Sequence, residues 1–225
     1  MKFRHEYKHV ITKSDVVTMR HRLNAVLIPD THGINGSPKY EIRSLYFDNL
    51  DDKALREKID GVSKREKFRI RCYNNDPSFI RLEKKSKINS LCNKESAVIT
   101  LEEANKIIRG DTAWMITSDL PLVRELYAKM ASQGIRPKTI VDYTREAYTY
   151  PAGNVRVTLD YNIRTGLVST EMFSPDTVTV PAGESETILE VKWDEYLPDI
   201  VRDTVTLKGI RSSAFSKYAA CRIYG

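Results

Sequence analysis

The sequence predicts an α+β fold in which an antiparallel sheet curls into a tunnel-shaped barrel with helices packed on its outside. Two observations lead to this prediction. Several segments alternate charged and apolar side chains with the period of a strand that has one buried face. Segments with helical spacing of apolar residues lie between them and can cover the apolar face of the sheet. Closure of such a sheet would point the charged faces inward.

The composition is that of an ordinary globular chain, with 41% hydrophobic residues, 10 Gly and 9 Pro. The net charge of +6 is small, so the positions of the cations are more informative than their number. Three cysteines without a disulfide or metal-ligand spacing predict a reduced, cytoplasmic protein. The sequence shows no signal peptide and no membrane-spanning segment, so a membrane association would require a partner protein. Residues 1–225 are predicted to form a single domain, because no linker or repeat divides them.

The local patterns place each element in order along the chain. Thr100 and Glu103 match a capping box that begins a helix, and Gly110 is a typical helix stop. Pro121 and Gly134 mark the start and the end of the best-defined helix. The predicted strands are 3–11, 40–48, 67–73, 79–87, 139–150, 155–162 and 186–193, with a short one within 177–180. The predicted helices are 12–27, 49–60, 100–109, 120–133, 197–207 and 212–223, while 31–38, 89–97 and most of 163–181 are predicted to be irregular.

The most informative element is a predicted hairpin of strands 67–73 and 79–87, joined by a turn at 74–77. Alternation separates an apolar face from a face on which cations crowd together. Such crowding costs repulsion unless an anion fills the face. A solvated face would be the simpler interpretation of a single strand, but the pattern recurs in other strands. The charged face carries Lys67, Arg69, Arg71 and Tyr73 on one strand and Arg81, Glu83, Lys85 and Lys87 on the other.

Further segments repeat this arrangement with charges of both signs in phase. Inside a closed sheet, arginines would grip phosphate oxygens with two N–H groups each, and lysines would add point charges. A carboxylate among them is best explained as a ligand of Mg²⁺ or Mn²⁺, which then bridges phosphate oxygens. Glu6 and Glu83 are expected to orient the basic residues instead. The recurring sets are Glu6 with Lys8, Tyr143 with Arg145, Arg156 with Asp160, and Glu190 with Lys192, and Lys217 lies in the C-terminal segment.

Short motifs in a fixed order carry a resemblance to a known family. They are Phe3-Arg4-His5-Glu6-Tyr7-Lys8, Ser44-Leu45-Tyr46-Phe47-Asp48, Lys67-Phe68-Arg69-Ile70-Arg71, Leu82-Glu83-Lys84-Lys85, Tyr143-Thr144-Arg145-Glu146-Ala147, Arg156-Val157-Thr158-Leu159-Asp160 and Ser216-Lys217-Tyr218. The chain resembles the polyphosphate polymerase domain of the vacuolar transporter chaperone (VTC) proteins over essentially its whole length. That domain belongs to the triphosphate tunnel metalloenzymes, whose relatives include CYTH-type triphosphatases. Each motif alone is unspecific, but the ordered set is characteristic.

The resemblance implies a tunnel domain that uses ATP and a divalent metal, Mn²⁺ or Mg²⁺, to transfer the γ-phosphate of ATP onto a growing polyphosphate chain. ATP and inorganic polyphosphate or triphosphate are therefore the expected partners. The implied catalytic phosphate contacts are Lys8, Arg69, Arg71, Lys85, Arg145, Arg156 and Lys217. The implied substrate-binding residues are Arg43, Glu83, Lys87, Tyr143, Asp160 and Ser216, and Glu190 is the implied metal ligand.

The chain departs from the family pattern at some positions. Arg4, Glu6 and Lys8 stand where CYTH-type triphosphatases carry Glu-x-Glu-x-Lys, so one metal carboxylate is missing. This difference favours the polymerase over a triphosphatase. Ala214 stands three residues before Lys217, where some members place a further basic residue. The chain also lacks the phosphate-sensing helical domain and the transmembrane helices of eukaryotic members, so we expect a compact bacterial stand-alone domain.

Three other functions stay open. An inorganic triphosphatase or polyphosphatase would need the same cationic tunnel and would differ in the acceptor, which is water instead of a phosphate chain. A catalytically silent polyphosphate-binding module would keep the tunnel without turnover. A nucleic-acid binder is the weakest alternative, because aromatic residues that could stack on bases are sparse among the basic strands and the in-phase carboxylates would repel a phosphate backbone.

Overall fold

The computed structural model of the protein describes residues 4–30, 37–89, 91–183, 186–207, 209 and 212–223. Phe3 and the predicted loop residues 31–36 lie outside the described residues. The strands are β1 His5–Ile11, β2 Ile28–Pro29, β3 Lys39–Asp48, β4 Lys64–Tyr73, β5 Asp76–Ile88, β6 Leu91–Ile99, β7 Arg136–Tyr150, β8 Val155–Thr165, β9 Val180–Pro181 and β10 Thr187–Trp193. The helices are α1 Lys13–Val26, α2 Lys53–Ile59, α3 Leu101–Arg109, α4 Pro121–Gln133, α5 Asp199–Val205 and α6 Lys217–Cys221.

The strands form one 10-stranded sheet whose strand pairs are antiparallel. The main path runs β1-β10-β8-β7-β3-β4-β5-β6, while β2 pairs with β7 and β9 pairs with β8. The sheet curls until β1 and β6 approach each other, and the N–H group of Arg4 donates to the carbonyl oxygen of Cys92 at 3.2 Å. The predicted α+β fold is therefore confirmed. Within the described residues this seam is a single bridge rather than a ladder, so the barrel is curled without being fully hydrogen-bonded shut.

Helices cover the apolar outer face of the sheet in two places, as the alternation predicted. Under α3 and α4, Phe68 and Leu82 of β4 and β5 are almost completely buried. Under α1 and α5, Val157 and Leu189 of β8 and β10 are buried in the same way. Burial of a side chain of this size contributes about 1.5–3 kcal/mol. Because this face packs against helices, the charged face of each strand turns toward the interior of the barrel.

Capping residues set the helix boundaries. Thr100 accepts a hydrogen bond from the N–H group of Glu103, the Glu103 carboxylate accepts one from the N–H group of Thr100, and α3 ends at Gly110 with a φ of 81°. Pro121 opens α4, and Gly134 ends it with a φ of 67°. The sequence predictions for both helices are confirmed. None of the helices in the described part of the chain combines the length and the apolarity needed to cross a bilayer.

Two segments differ from the sequence prediction. Residues 89–97 were predicted to be irregular, but most of them belong to β6, which pairs with β5 along its length. The polar run 93–95 shows no apolar alternation, so pairing with β5 forms this strand against a weak local preference. The predicted helix 212–223 is reduced to α6. The residues before it are not helical, and there the N–H group of Ser213 donates to the carbonyl oxygen of Lys8 at 2.7 Å.

Helix α6 packs against the inner face of the curled sheet and fills part of its interior. Tyr218 stacks on Tyr46 with ring centroids 5.0 Å apart, and its hydroxyl donates to Asp48 at 2.6 Å. Cys221 is buried in the same apolar cluster as Tyr143 of β7. Helix α2 contacts both α6 and β4. One part of the interior is therefore an apolar core, and charged side chains occupy the remainder.

The turn between β7 and β8 depends on glycine at position 153. Gly153 has a φ of 71°, and a Cβ atom built there would clash with the backbone carbonyl oxygen of Tyr196. Gly134 has a similar φ of 67° but open space around it. We expect Gly134→Ala to lower the free energy of unfolding by about 1–2 kcal/mol, the usual cost of a left-handed alanine, and Gly153→Ala to lower it clearly more. Denaturant unfolding of both variants measures the difference, and equal losses would contradict the clash.

Candidate functional site

The inward face of hairpin β4–β5 carries a ladder of cations, as its sequence pattern predicts. Like charges placed directly opposite each other destabilise an antiparallel strand pair. Such repulsive pairs flank one favourable pair, Arg69 with Glu83. The hairpin therefore needs compensation from carboxylates or from a bound anion. The repulsive pairs are Arg65 with Lys87, Lys67 with Lys85, and Arg71 with Arg81.

Glu83 is the carboxylate that compensates the central arginines. It is 1% exposed, and the Nε atom of Arg69 donates to it at 2.7 Å. The Nη1 atom of Arg71 lies 3.6 Å from the same carboxylate, and Lys94 of β6 donates to it at 3.0 Å. Burial raises the pKa of the Glu83 carboxyl, but Arg69, Arg71 and Lys94 outweigh burial and hold the pKa well below its usual range. Glu83 is therefore ionised and shares its charge among three cations.

Tyr143 connects this hairpin to β7 and α6. Its hydroxyl accepts a hydrogen bond from Arg71 at 3.0 Å. The guanidinium of Arg145 lies 5.4 Å from the ring centroid, and the ammonium of Lys217 lies 4.7 Å from it. The quadrupole of an aromatic ring attracts cations that lie near its face. Cations from three separate elements therefore converge on this single side chain.

Asp160 is the counter-ion on the β8 side. Arg145 donates to both of its oxygens, through Nε at 2.6 Å and Nη2 at 2.7 Å, and Lys217 donates to it at 2.6 Å. Burial raises the pKa of the Asp160 carboxyl, but Arg145 and Lys217 outweigh burial and lower the pKa to about 2. The neighbouring Ser216 caps α6, where its hydroxyl accepts a hydrogen bond from the N–H group of Ala219. Asp160 thus fixes the positions of two cations at once.

A third group of paired charges joins β1, β10 and β5. Lys8 lies 3.1 Å from Glu6 and 3.4 Å from Glu190, and Lys192 contacts both carboxylates as well. Lys85 reaches across from β5 and donates to Glu6 at 2.9 Å. Burial raises the pKa of the Glu190 carboxyl, but Lys192 and Lys8 reverse the shift and hold the pKa well below its usual range. This network ties β1 to β5 across the seam where the backbone ladder is missing.

Most of the predicted site residues converge in this charged part of the interior, which we call the lumen. Lys87 lies on the same face of β5, further along the strand and opposite Arg65. Arg156 is 34% exposed in its side chain and lies 2.6 Å from Asp30. It also donates to the hydroxyl of Tyr40 at 2.9 Å. The predicted residues that the lumen brings together are Lys8, Arg69, Arg71, Glu83, Lys85, Tyr143, Arg145, Asp160, Glu190 and Lys217.

Arg43, which was predicted to bind substrate, lies on the outer face of β3 and not in the lumen. Its guanidinium donates to Asp142 at 2.8 Å. Leu45, on the same face, is buried beneath the helices. On this strand Ser44 and Tyr46 turn neutral hydroxyls inward, where they accept hydrogen bonds from lumen arginines. No cation of β3, all of whose residues the structure describes, faces the lumen, so Arg43 is not part of the site.

The implied site residues leave out several cations of the lumen. The sequence alternation had already placed Lys67 and Lys192 on the charged faces of their strands, and the structure puts both in the lumen. Strand alternation could not identify Lys94, because the segment that forms its strand was predicted to be irregular. Lys58 belongs to helix α2, where the period of a strand carries no information. Burial lowers the pKa of the Lys58 ammonium, and the charges of Arg65 and Lys8 lower it further, so Lys58 lies near cations of the lumen.

Tyr46 lies where the remaining positive charge of the lumen is concentrated. Arg69 donates to its hydroxyl at 2.8 Å, and the ammonium of Lys67 lies 5.2 Å from its ring centroid. Burial raises the pKa of the Tyr46 phenol, but Arg69, Lys67 and Arg71 outweigh burial and lower the pKa to about 7. A phenol that ionises so readily indicates that the carboxylates of the lumen compensate its cations incompletely.

We expect Tyr46 to ionise at a pH of about 7 in the ligand-free protein. The absorbance of tyrosinate during a pH titration measures this step. The step should be lost in Tyr46→Phe and retained in Tyr218→Phe, because burial and the neighbouring Asp48 raise the pKa of Tyr218. Identical titration curves for the wild-type protein and Tyr46→Phe would show that the lumen is less positive than its geometry indicates.

Comparison with known proteins identifies the family. The PH1012 protein from Pyrococcus horikoshii OT3 has a similar backbone, with a TM-score of 0.52 at 10% sequence identity over 95% of this chain and 96% of that chain. The PH1819 protein from the same organism aligns over 96% of both chains with a TM-score of 0.49 and 13% identity. At this identity the first similarity concerns the fold alone. No curated protein matches the chain. The family model of the VTC domain matches residues 3–223, and the chain therefore belongs to the VTC domain family.

Proposed function

We propose that the protein is a polyphosphate polymerase that transfers the γ-phosphate of ATP onto a growing inorganic polyphosphate chain inside its tunnel, with the help of a divalent metal. The observation that carries this proposal is the convergence of cations from hairpin β4–β5, β7 and α6 on Tyr143. Such a constellation suits a ligand with several negative charges along its length. Membership of the VTC domain family supports the same substrate class.

The lumen arginines are already arranged for phosphate. Arg69 and Arg145 each present two N–H groups to a carboxylate, and the same fork matches two oxygens of a phosphate group. Within the described residues, the hydrogen bonds of the Arg71 side chain go to the neutral hydroxyls of Ser44 and Tyr143. Its ion pair with Glu83, at 3.6 Å, is longer than the carboxylate contacts of Arg69 and Arg145, so the charge of Arg71 is less fully compensated than theirs. We infer that the transferred phosphate lies next to Arg71.

The proposed reaction is a phosphoryl transfer. A terminal oxygen of the acceptor chain forms a bond to the γ-phosphorus of ATP, the bond from this phosphorus to the oxygen that bridges to the β-phosphate breaks, and ADP leaves. The chain becomes longer by one phosphate. Catalysis of such a step consists mainly of positioning and of stabilising the charge on the transferred group. Buried guanidinium and ammonium groups that are held by carboxylates can do both without reorganising.

Glu190 is the residue that would hold the divalent metal. At phosphoryl-transfer sites Mg²⁺ binds through one or two carboxylates and the phosphates of the substrate, and Mn²⁺ accepts the same oxygen ligands. Glu190 is 4% exposed and close enough to Glu6 for the two charges to influence each other. In the described part of the chain no group of three His, Cys, Asp or Glu side chains is arranged to hold a metal. A divalent metal held at Glu190 would supply positive charge that stabilises the phosphate oxygens during the transfer.

The start of β1 supports a polymerase over a triphosphatase. A triphosphatase must activate water, for which a second carboxylate or a second metal is useful. Arg4 occupies the position at which the related triphosphatases have the first glutamate, and it forms an ion pair with Asp194 at 2.8 Å. Glu6 is engaged by Lys8 and Lys85. Fewer free carboxylates are therefore available to deprotonate water in this tunnel.

The test is to incubate the purified protein with ATP and Mn²⁺ and to measure ADP, free phosphate and long-chain polyphosphate together. We expect polyphosphate and ADP to accumulate, with little free phosphate. In Arg71→Gln we expect the rate to fall about 100-fold, because a donor aimed at the transferred group is lost. The matched control is Arg43→Gln, which removes an arginine from the outer face of β3 and should keep the wild-type rate.

Each outcome of this assay separates the candidate functions. Free phosphate without polymer would replace the polymerase by a triphosphatase. No turnover, together with tripolyphosphate binding that weakens with salt, would leave a polyphosphate-binding module. Equal losses in Arg71→Gln and Arg43→Gln would mean that the substitutions act on folding and would withdraw support from the proposed site.

A further inference from the structure

Four cations next to the central network have no acidic partner. We call Lys58, Arg65, Lys67 and Lys87 the basic rim. Among the described residues, none of the four forms an ion pair or a hydrogen bond with a carboxylate. Lys67 instead lies over aromatic rings, 5.2 Å from the centroid of Tyr46. The basic rim therefore differs from the clusters around Glu83, Asp160 and Glu190, in which a buried carboxylate lies among the cations.

Three elements, β4, β5 and α2, bring the basic rim together. Arg65 and Lys87 are directly opposite each other on β4 and β5, and Lys67 is opposite Lys85 one step further along. Lys58 comes from α2, which packs against β4. Burial lowers the pKa of the Lys58 ammonium, and the charges of Arg65 and Lys87 lower it further, so these groups lie close enough to repel one another. All four side chains are partly buried.

This uncompensated charge has an energetic cost. Burial lowers the pKa of Lys67, and Lys85 and Arg69 lower it further against the opposing effect of Tyr46, so that it reaches about 8. Like charges in opposed strand positions destabilise the hairpin, and partial burial reduces the solvent screening that would otherwise weaken their repulsion. Bound anionic groups would remove this cost. A solvated surface cluster would instead be exposed and free to spread apart.

The distance along β4 sets the kind of anion. Arg65 and Arg69 are separated by four residues, which corresponds to about 13 Å in a strand. A single phosphate cannot contact both ends of such a stretch. A ligand that contacts the arginines at Glu83 and also the basic rim must be an extended polyanion.

We propose that the basic rim binds the part of a phosphate chain that extends beyond the segment held around Tyr143, so that the protein favours long-chain polyphosphate over tripolyphosphate. This inference rests on the proposed function because it assumes a phosphate chain in the tunnel, but it does not require catalysis. Lys58 differs from the other three residues of the basic rim because its charge comes from helix α2 and not from a strand of the sheet. The basic rim is then a determinant of ligand length.

Calorimetric titration of the full-length protein with tripolyphosphate and, separately, with long-chain polyphosphate tests the inference. In the double variant Lys58→Gln/Lys87→Gln we expect the affinity for the long chain to fall about tenfold or more, the effect of losing charge-assisted contacts. Affinity for tripolyphosphate should change less than about twofold, because a tripolyphosphate held around Tyr143 is too short to contact the basic rim. The matched control is Lys53→Gln/Lys64→Gln, which removes the same charge from α2 and β4 at exposed positions and should leave both affinities unchanged.

The two ligands separate the failure of this inference from that of the proposed function. Equal weakening for both ligands, or no weakening for the long chain, would overturn the role of the basic rim while leaving the central site intact. Equal affinity of the wild-type protein for tripolyphosphate and for the long chain would also overturn the role of the basic rim. A wild-type protein that binds neither would overturn the proposed function and with it the inference.

Discussion

The buried carboxylate of Glu83 allows two arginines to lie side by side within the curled sheet. Without Glu83, the charges of Arg69 and Arg71 would repel each other in a region from which most water is excluded. Removal of one partner of a buried ion pair typically lowers the stability of a protein by about 3–5 kcal/mol. Asp160 plays the same part for Arg145 and Lys217. The carboxylates stabilise the protein without its ligand, but they do not cancel the positive charge of the lumen. The site is thus assembled before substrate arrives and still attracts an anion.

Packing outside the sheet maintains this arrangement inside it. The helices on the outer face bury the apolar half of each strand, so the charged half has no position except the interior. On the inside, α6 supplies both an apolar patch around Tyr218 and a cation, Lys217, within five residues. The lumen therefore contains aromatic rings as well as charges, and several of its cations lie over the faces of Tyr46 and Tyr143. Such support limits the motion of long side chains that would otherwise lose entropy when they bind phosphate.

The sequence predicted the hairpin at the centre of the site correctly, because its alternation is strong and its turn residues are characteristic. Site residues on other strands followed from the same period, and the family resemblance selected among them. The failures have physical causes. Strand β6 has no apolar alternation and exists because β5 offers hydrogen bonds. Arg43 was wrongly assigned to the site, because the side chains of β3 that contact the lumen arginines are the hydroxyls of Ser44 and Tyr46. The position of Lys58 depends on how α2 packs, which local sequence does not encode.

The strand order also has a consequence for how the chain folds. β1 pairs with β10, and the residues just before α6 bond to Lys8, so the lumen joins the early and the late parts of the chain. Contacts between residues so distant in sequence give a high contact order, which slows folding. During synthesis β1 has no paired strand on this edge until β10 has left the ribosome. An exposed strand edge can pair with the wrong partner. The proposed phosphate site, which includes Lys8 of β1 and Lys217 of α6, is therefore complete only after the last part of the chain has been made.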